Sequence, residues 1–154
     1  MVKERTLVLL KPDTVVRSFV GEIITRFEKT KKTREAEGQP FPFKDHMEYG
    51  SMIQSWNANF LREGPVIAIV LEGPHAVEIV RKMVGSTEPR QASPGTIRGD
   101  YAMIESYALA NDKTRVLRNL AHASDSVETA EREITLWFSK DEVHSYKKDL
   151  DQHL

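Results

Sequence analysis

Thr6-Leu7-Val8-Leu9-Leu10, halted by Lys11-Pro12-Asp13, is the stretch from which the fold is read. An almost continuous apolar run this short, closed by a proline-containing turn, predicts a buried strand, with Lys11 at its end. Working outward, Ile23, Ile24 and Phe27 fall at helical spacing, and basic residues crowd the last turn of residues 21–32, as the helix dipole prefers. Residues 33–46 have no period and read as loop. Met52, Ile53, Trp56 and Phe60 restore a helical stripe, which Gly64-Pro65 ends before a second apolar strand over residues 66–71. Gly73-Pro74 then opens a helix with proline at its first position and Val77, Val80 and Val84 on its buried face, up to Gly85.

Residues 85–118 read as mostly irregular, punctuated by Pro89, Pro94, Gly95 and Gly99. Loops that long are uncommon unless functional or disordered. Residues 119–123 suit a third short strand. Asp125, with Glu128 three residues on, has the form of an N-cap and its box partner, and Val127, Ala130, Ile134, Trp137 and Phe138 make the clearest amphipathic helix of the chain. Residues 139–154 read as a charged surface tail. Strands separated by helices predict an α/β or α+β sandwich, one domain over residues 1–154, although three strands are a thin platform for four helices.

The 154 residues carry 22 basic and 23 acidic side chains, a net charge of -1, so no general field draws the chain to nucleic acid or an anionic membrane. Any anion site must be local. Cysteine is absent, which removes disulfides, thiolate ligands and a cysteine nucleophile, and the cytoplasm is the expected compartment. No apolar run approaches the roughly 20 residues of a membrane helix.

Five histidines, His46, His75, His122, His144 and His153, show no HxxxH pair, so no structural zinc site is expected. His122 differs from the others: it ends a candidate strand just before a helix cap, with Asn119, Ser124 and Asp125 beside it. Taken alone, such a histidine is more often structural than catalytic. Lys11, Arg81, Arg98 and Thr87 are candidate anion ligands whose bland reading is solvated surface. Neither GxxxxGK[ST] nor GxGxxG occurs, so phosphates would be held by separate cationic side chains and not by a glycine-rich cradle.

Taken in order, Lys11-Pro12-Asp13, Gly21-Glu22-Ile23-Ile24, Gly64-Pro65-Val66, Pro94-Gly95-Thr96-Ile97-Arg98-Gly99-Asp100 and Asn119-Leu120-Ala121-His122-Ala123-Ser124-Asp125-Ser126, then Ala130-Glu131-Arg132-Glu133-Ile134, resemble the nucleoside diphosphate kinase family. The likeness covers roughly residues 4–30 and 60–140. It implies a ferredoxin-like antiparallel sheet covered by helices. The implied reaction moves the γ-phosphate of a nucleoside triphosphate to a nucleoside diphosphate by ping-pong transfer through a phosphohistidine. Imidazole suits that task, being mostly neutral at pH 7 with a ring nitrogen free to attack. His122 matches the nucleophile, and Glu133 matches the carboxylate that steadies its other nitrogen, partly through Ser124. Lys11, Arg81 and Arg98 match the phosphate ligands, Thr87 a hydroxyl donor to them, and Asn119 a group reaching ribose and phosphates. Mg²⁺ is implied as an ion carried on the nucleotide phosphates, with no protein metal ligands. A homo-oligomer, tetramer or hexamer, is implied as well.

The likeness breaks in two places. The family's second strand and helix hairpin, with a tyrosine that touches phosphate, are missing after Thr30. Either that piece is deleted or a stretch near residues 30–33 is left out of the sequence; the latter is the expected reading, since a deletion would unpair a sheet edge and remove part of the nucleotide lid. Residues 107–116 look inserted. At the positions of the family's base clamps stand Ile53 and Asn57, so Trp56 is the candidate stacking face. The competing classes are a weakened nucleotide-binding scaffold, disfavoured by the intact residue set, and a nucleic-acid binder, which lacks a basic stripe with interleaved aromatics. Trp56→Ala is expected to weaken nucleotide binding measured by calorimetry, and an unchanged affinity would remove Trp56 from the base site.

Overall fold

The computed structural model describes residues 3–29 and 55–144. Three strands, β1 (Glu4–Leu10), β2 (Ile67–Gly73) and β3 (Ala121–Ala123), form an antiparallel sheet in the order β2-β1-β3. β1 lies in the middle, with Leu10 opposite both Ile67 and Ala121, and Leu9 opposite His122. The central strand is buried on both faces, which is why its sequence is a run and not an alternation. Val8 and Leu10 pack with Ile23, Val80, Val84 and Ile97 on one side; Leu7 and Leu9 pack with Ile134 on the other.

The helices are α1 (Pro12–Val16), α2 (Val20–Lys29), α3 (described over 55–62), α4 (Ala76–Val84), α5 (Ile97–Tyr101), α6 (Tyr107–Asp112) and α7 (Val127–Trp137). Residues 30–54, which hold the expected loop, Ile53 and the place where a second strand and helix hairpin were expected to be missing, lie outside the described residues, as does most of the charged tail.

Four local expectations are corrected. Pro74 does not open α4: β2 stays paired through Gly73, opposite Glu4, so Pro74 falls in the turn and His75, at φ 56°, is the cap. The stretch 85–118 is ordered by a 3₁₀ turn (Pro89–Gln91) and two helices too short to show a period. Side chains hold them: Thr96 accepts from the Gly99 amide at 3.1 Å, Ser106 from Leu109 at 3.2 Å, and Glu88 from Tyr107 at 3.1 Å. The apparently inserted residues 107–116 are part of this, with Arg115 and Glu105 forming a bidentate pair at 2.8 and 3.0 Å. The cap of α7 is Ser126, one residue after Asp125, accepting from the Thr129 amide at 3.0 Å. On the same helix Val127 and Trp137 are largely exposed, and only Ala130 and Ile134 are buried, so the apolar stripe is narrower than the spacing suggested.

Helix α7 is fastened to β1 at two points: Ile134 on Leu7 and Leu9, and the Arg5 guanidinium on the Glu131 carboxylate at 3.0 and 2.5 Å. Since α7 also carries Glu133, its docking fixes where that carboxylate stands relative to β3. Truncation by Ile134→Ala is expected to cost about 2–5 kcal/mol of unfolding free energy in a urea titration.

Candidate active site

Strand β3 delivers His122 opposite Leu9, on the side of the sheet against which α7 packs. There the Glu133 oxygens each lie 3.0 Å from His122 Nε2. An ionised carboxylate only accepts, so the ring proton sits on Nε2 and the lone pair on Nδ1. Ser124, fully buried, donates its hydroxyl to Glu133 Oε2 at 2.7 Å and accepts from the Leu7 amide at 3.2 Å. This sequence of bonds ties the carboxylate to β1, and through it the ring. The His122 side chain keeps 38% of its surface exposed, so the ring is not sealed from solvent.

The cations gather at the entry to the same strand. Lys11 Nζ donates to Asn119 Oδ1 at 2.8 Å and stands over the Phe60 ring of α3 at 5.9 Å. Burial, then repulsion from Arg98, pushes Lys11 down to about 8, with Asp13 pulling the other way. The Asn119 amide is taken at both ends, its Nδ2 donating to the Thr87 carbonyl at 2.9 Å. Asn119 is therefore a brace between Lys11 and the 85–118 segment.

Arg98 is more deeply built in than a surface phosphate ligand would be. It donates to the carbonyls of Asn119 (3.1 Å), Gly85 (2.8 Å) and Ala121 (2.7 Å). Along β3 it is His122 that faces β1, so Ala121 O points off the edge that has no further strand among the described residues, and the guanidinium satisfies it. Three of five N–H groups are engaged, which leaves two for a ligand. Burial and the charge of Arg81 push Arg98 down to about 10. Two glycines permit this seat: a Cβ on Gly99 would stand 2.1 Å from the Ser93 carbonyl, and one on Gly85, at φ 86°, 2.5 Å from Thr96 Oγ1.

Arg81 is exposed on α4, and Thr87 is exposed in the loop after it. The charge of Arg81 reaches both Arg98 and Asp125, and Asp125 also feels His122. Trp56 is half-buried on α3, one turn before Phe60, which puts it on the helix face that borders Lys11. Ile53 is outside the described residues. Two contributors had no role in the sequence reading. Phe60 was legible only as part of an apolar stripe. Asp13 was visible as the end of a turn motif, but its partner, the Leu120 amide at 3.1 Å, lies 107 residues away.

A nucleophilic imidazole held by a carboxylate, with clustered cations at the mouth of its strand, on an α/β sandwich, belongs to the phosphotransferase class. The nucleoside diphosphate kinase family model matches residues 4–143. The chain is 42% identical to a nucleoside diphosphate kinase of Pyrococcus furiosus over 166 aligned positions, covering 96% of this chain and 91% of the relative. It is 44% identical to one of Pyrococcus horikoshii over 156 positions, covering 96% and 93%. Among solved structures, an NDP kinase from Pyrobaculum aerophilum aligns with a TM-score of 0.82 at 37% identity, covering 94% of this chain and 100% of that one. A transition-state mimic of nucleoside-diphosphate kinase from Borrelia burgdorferi, with bound vanadate and ADP, aligns at 0.84 and 32% identity, covering 99% and 97%. The chain belongs to the nucleoside diphosphate kinase family, and it is a phosphotransferase. Glu133→Gln is expected to lower phosphoryl transfer about 10–100-fold. The amide can donate to Nε2 and move the ring proton to Nδ1, a tautomer change that ¹⁵N shifts of the imidazole report.

Proposed function

We propose that His122 Nδ1 accepts the γ-phosphoryl group of a nucleoside triphosphate and returns it to a nucleoside diphosphate. In the first half-reaction a bond forms from Nδ1 to the γ-phosphorus as the bond to the β,γ-bridging oxygen breaks, and a nucleoside diphosphate leaves. In the second, a terminal oxygen of another diphosphate takes the group back. The observation that carries this is the bond pattern at the ring: Glu133 occupies Nε2 through both oxygens, in a side chain that keeps 38% of its surface exposed. As the ring becomes phosphorylated it gains positive charge, which the Glu133 carboxylate is placed to balance.

Lys11, Arg81 and Arg98 bind the phosphates in this reading, with the Thr87 hydroxyl as a further donor. Asn119 holds Lys11 in place and reaches toward the sugar. Lys11 and Arg98 each hold on to a proton less tightly than usual, Lys11 in part through the charge of Arg98, so a polyphosphate relieves a repulsion already present and binds where the charge is already arranged. Mg²⁺ fits as an ion carried on the nucleotide, because a bare divalent cation would meet the charges of Lys11, Arg98 and Arg81. When bound it neutralises β- and γ-oxygens. The base is left to α3 and the residues before it, with Trp56 as the stacking face.

The working unit in this reading is one domain over residues 1–154, assembled as a homo-oligomer, tetramer or hexamer. Exposed Val16, Met103 and Ile104 are the kind of apolar surface that a second subunit covers. A cytoplasmic setting goes with substrates that are made and spent there. Incubation with γ-labelled ATP is expected to give an acid-labile label that passes to added GDP and is absent in His122→Ala. If the native protein takes no label, the chain is a nucleotide-binding scaffold instead.

A further inference from the structure

We propose that Asp13 is a positioning residue for phosphoryl transfer: its carboxylate pins Leu120 in a left-handed turn at the mouth of the histidine strand and is the buried anion that faces Lys11. The inference rests on the phosphohistidine reading, and goes beyond it in naming what sets the strand's entry and the lysine's charge.

Leu120 is fully buried and has φ 69°, a conformation that residues with a side chain seldom adopt. Such a turn persists only where its surroundings over-determine it. Here both polar groups of the Leu120 backbone are held from the segment after β1. The Leu120 amide donates to Asp13 Oδ2 at 3.1 Å. Its carbonyl accepts from the Lys11 amide at 2.8 Å and from the Thr14 hydroxyl at 2.6 Å. The other Asp13 oxygen accepts from the Thr14 amide at 3.1 Å, so the carboxylate is fixed at both ends.

The neighbours of Leu120 on either side build the site. Asn119, before it, braces Lys11 and gives its carbonyl to Arg98; Ala121, after it, gives its carbonyl to Arg98, and His122 comes next. A rotation about Leu120 would shift all of these groups together. Asp13 is therefore coupled to the nucleophile without touching it.

The same carboxylate acts through charge. Lys11 is faced by Asp13 from α1, by Arg98 from α5, by the neutral Asn119 amide, and by the Phe60 ring of α3. That ring also carries the Arg118 guanidinium at 5.2 Å, itself paired with Glu63 at 2.6 Å. Arg81 adds its charge behind Arg98. Among the charges acting directly on Lys11, Asp13 is the one that favours its protonated form. Asp13 is only 7% exposed, and burial holds its own carboxyl above the usual range against the pull of Leu120, Lys11 and Thr14. With the anion lost, Lys11 would release its proton at lower pH, and a neutral lysine no longer balances phosphate charge.

The test is the pH profile of kcat/KM for label transfer from γ-labelled ATP to GDP, since this ratio reports the free enzyme. The native protein is expected to lose activity on an alkaline limb near pH 8, as Lys11 deprotonates. In Asp13→Asn the limb should move to lower pH by about one unit, and the rate at pH 7 should fall about 10–100-fold. Asp13→Glu keeps the charge with a displaced oxygen, and should lose rate while its limb stays near the native position. A limb unmoved in a folded Asp13→Asn protein, or moved equally in Asp13→Glu, overturns the inference and leaves Asp13 a structural residue. If Asp13→Asn does not fold, native rate in Asp13→Glu overturns it. Failure of the native protein to take any acid-labile label would instead be a failure of the phosphohistidine reading, and the two failures are told apart by that label alone.

Discussion

Two cations, the half-buried Lys11 and the buried Arg98, are packed at the entry to a strand only three residues long, and the rest of the structure is arranged around that constraint. Burial lowers the proton affinity of both, and a neighbouring cation lowers it further, Arg98 for Lys11 and Arg81 for Arg98. The protein tolerates it because each cation is held by oxygens fixed in the backbone or by the Asn119 amide. A site of this kind is complementary to a polyphosphate before one arrives, which is the form of electrostatic preorganisation that phosphoryl transfer rewards.

The second constraint is the aim of the imidazole. The ring sits between a strand that is anchored to β1 and a helix anchored to the same strand by Ile134 and Arg5. Because both supports lead back to β1, the distance between His122 and Glu133 depends on one rigid element and not on two independent ones. Ser124 completes this, bonded to the Leu7 amide on one side and to Glu133 on the other. Arg98 closes the edge that β3 leaves unpaired among the described residues, and three of its five N–H groups are engaged in backbone bonds.

Much of the catalytic set was legible because its chemistry is carried by residue type and order. The run at residues 6–10 announced a buried strand, and the PGTIRGD and NxxHxSDS motifs singled out Arg98, Asn119, His122 and Ser124. Less legible was anything set by a partner distant in the chain. The helices at 97–101 and 107–112 were missed because five or six residues show no period; they exist through side-chain caps and the Glu88 carboxylate. Asn119 read as a ligand, and its part in bracing Lys11 against the Thr87 carbonyl, partners 108 and 32 residues away, had no sequence signal.

Sequence alone determined the family and the strand that anchors the core, and it marked His122 and Glu133 as the candidate nucleophile and carboxylate, since these follow from local pattern and from motif order. Tertiary structure decided which imidazole nitrogen is available, how Arg98 divides its donors, and that Leu120 is left-handed under the grip of Asp13. Each of these is settled by contacts between segments that meet only when β3 is laid beside β1, and no local propensity encodes them.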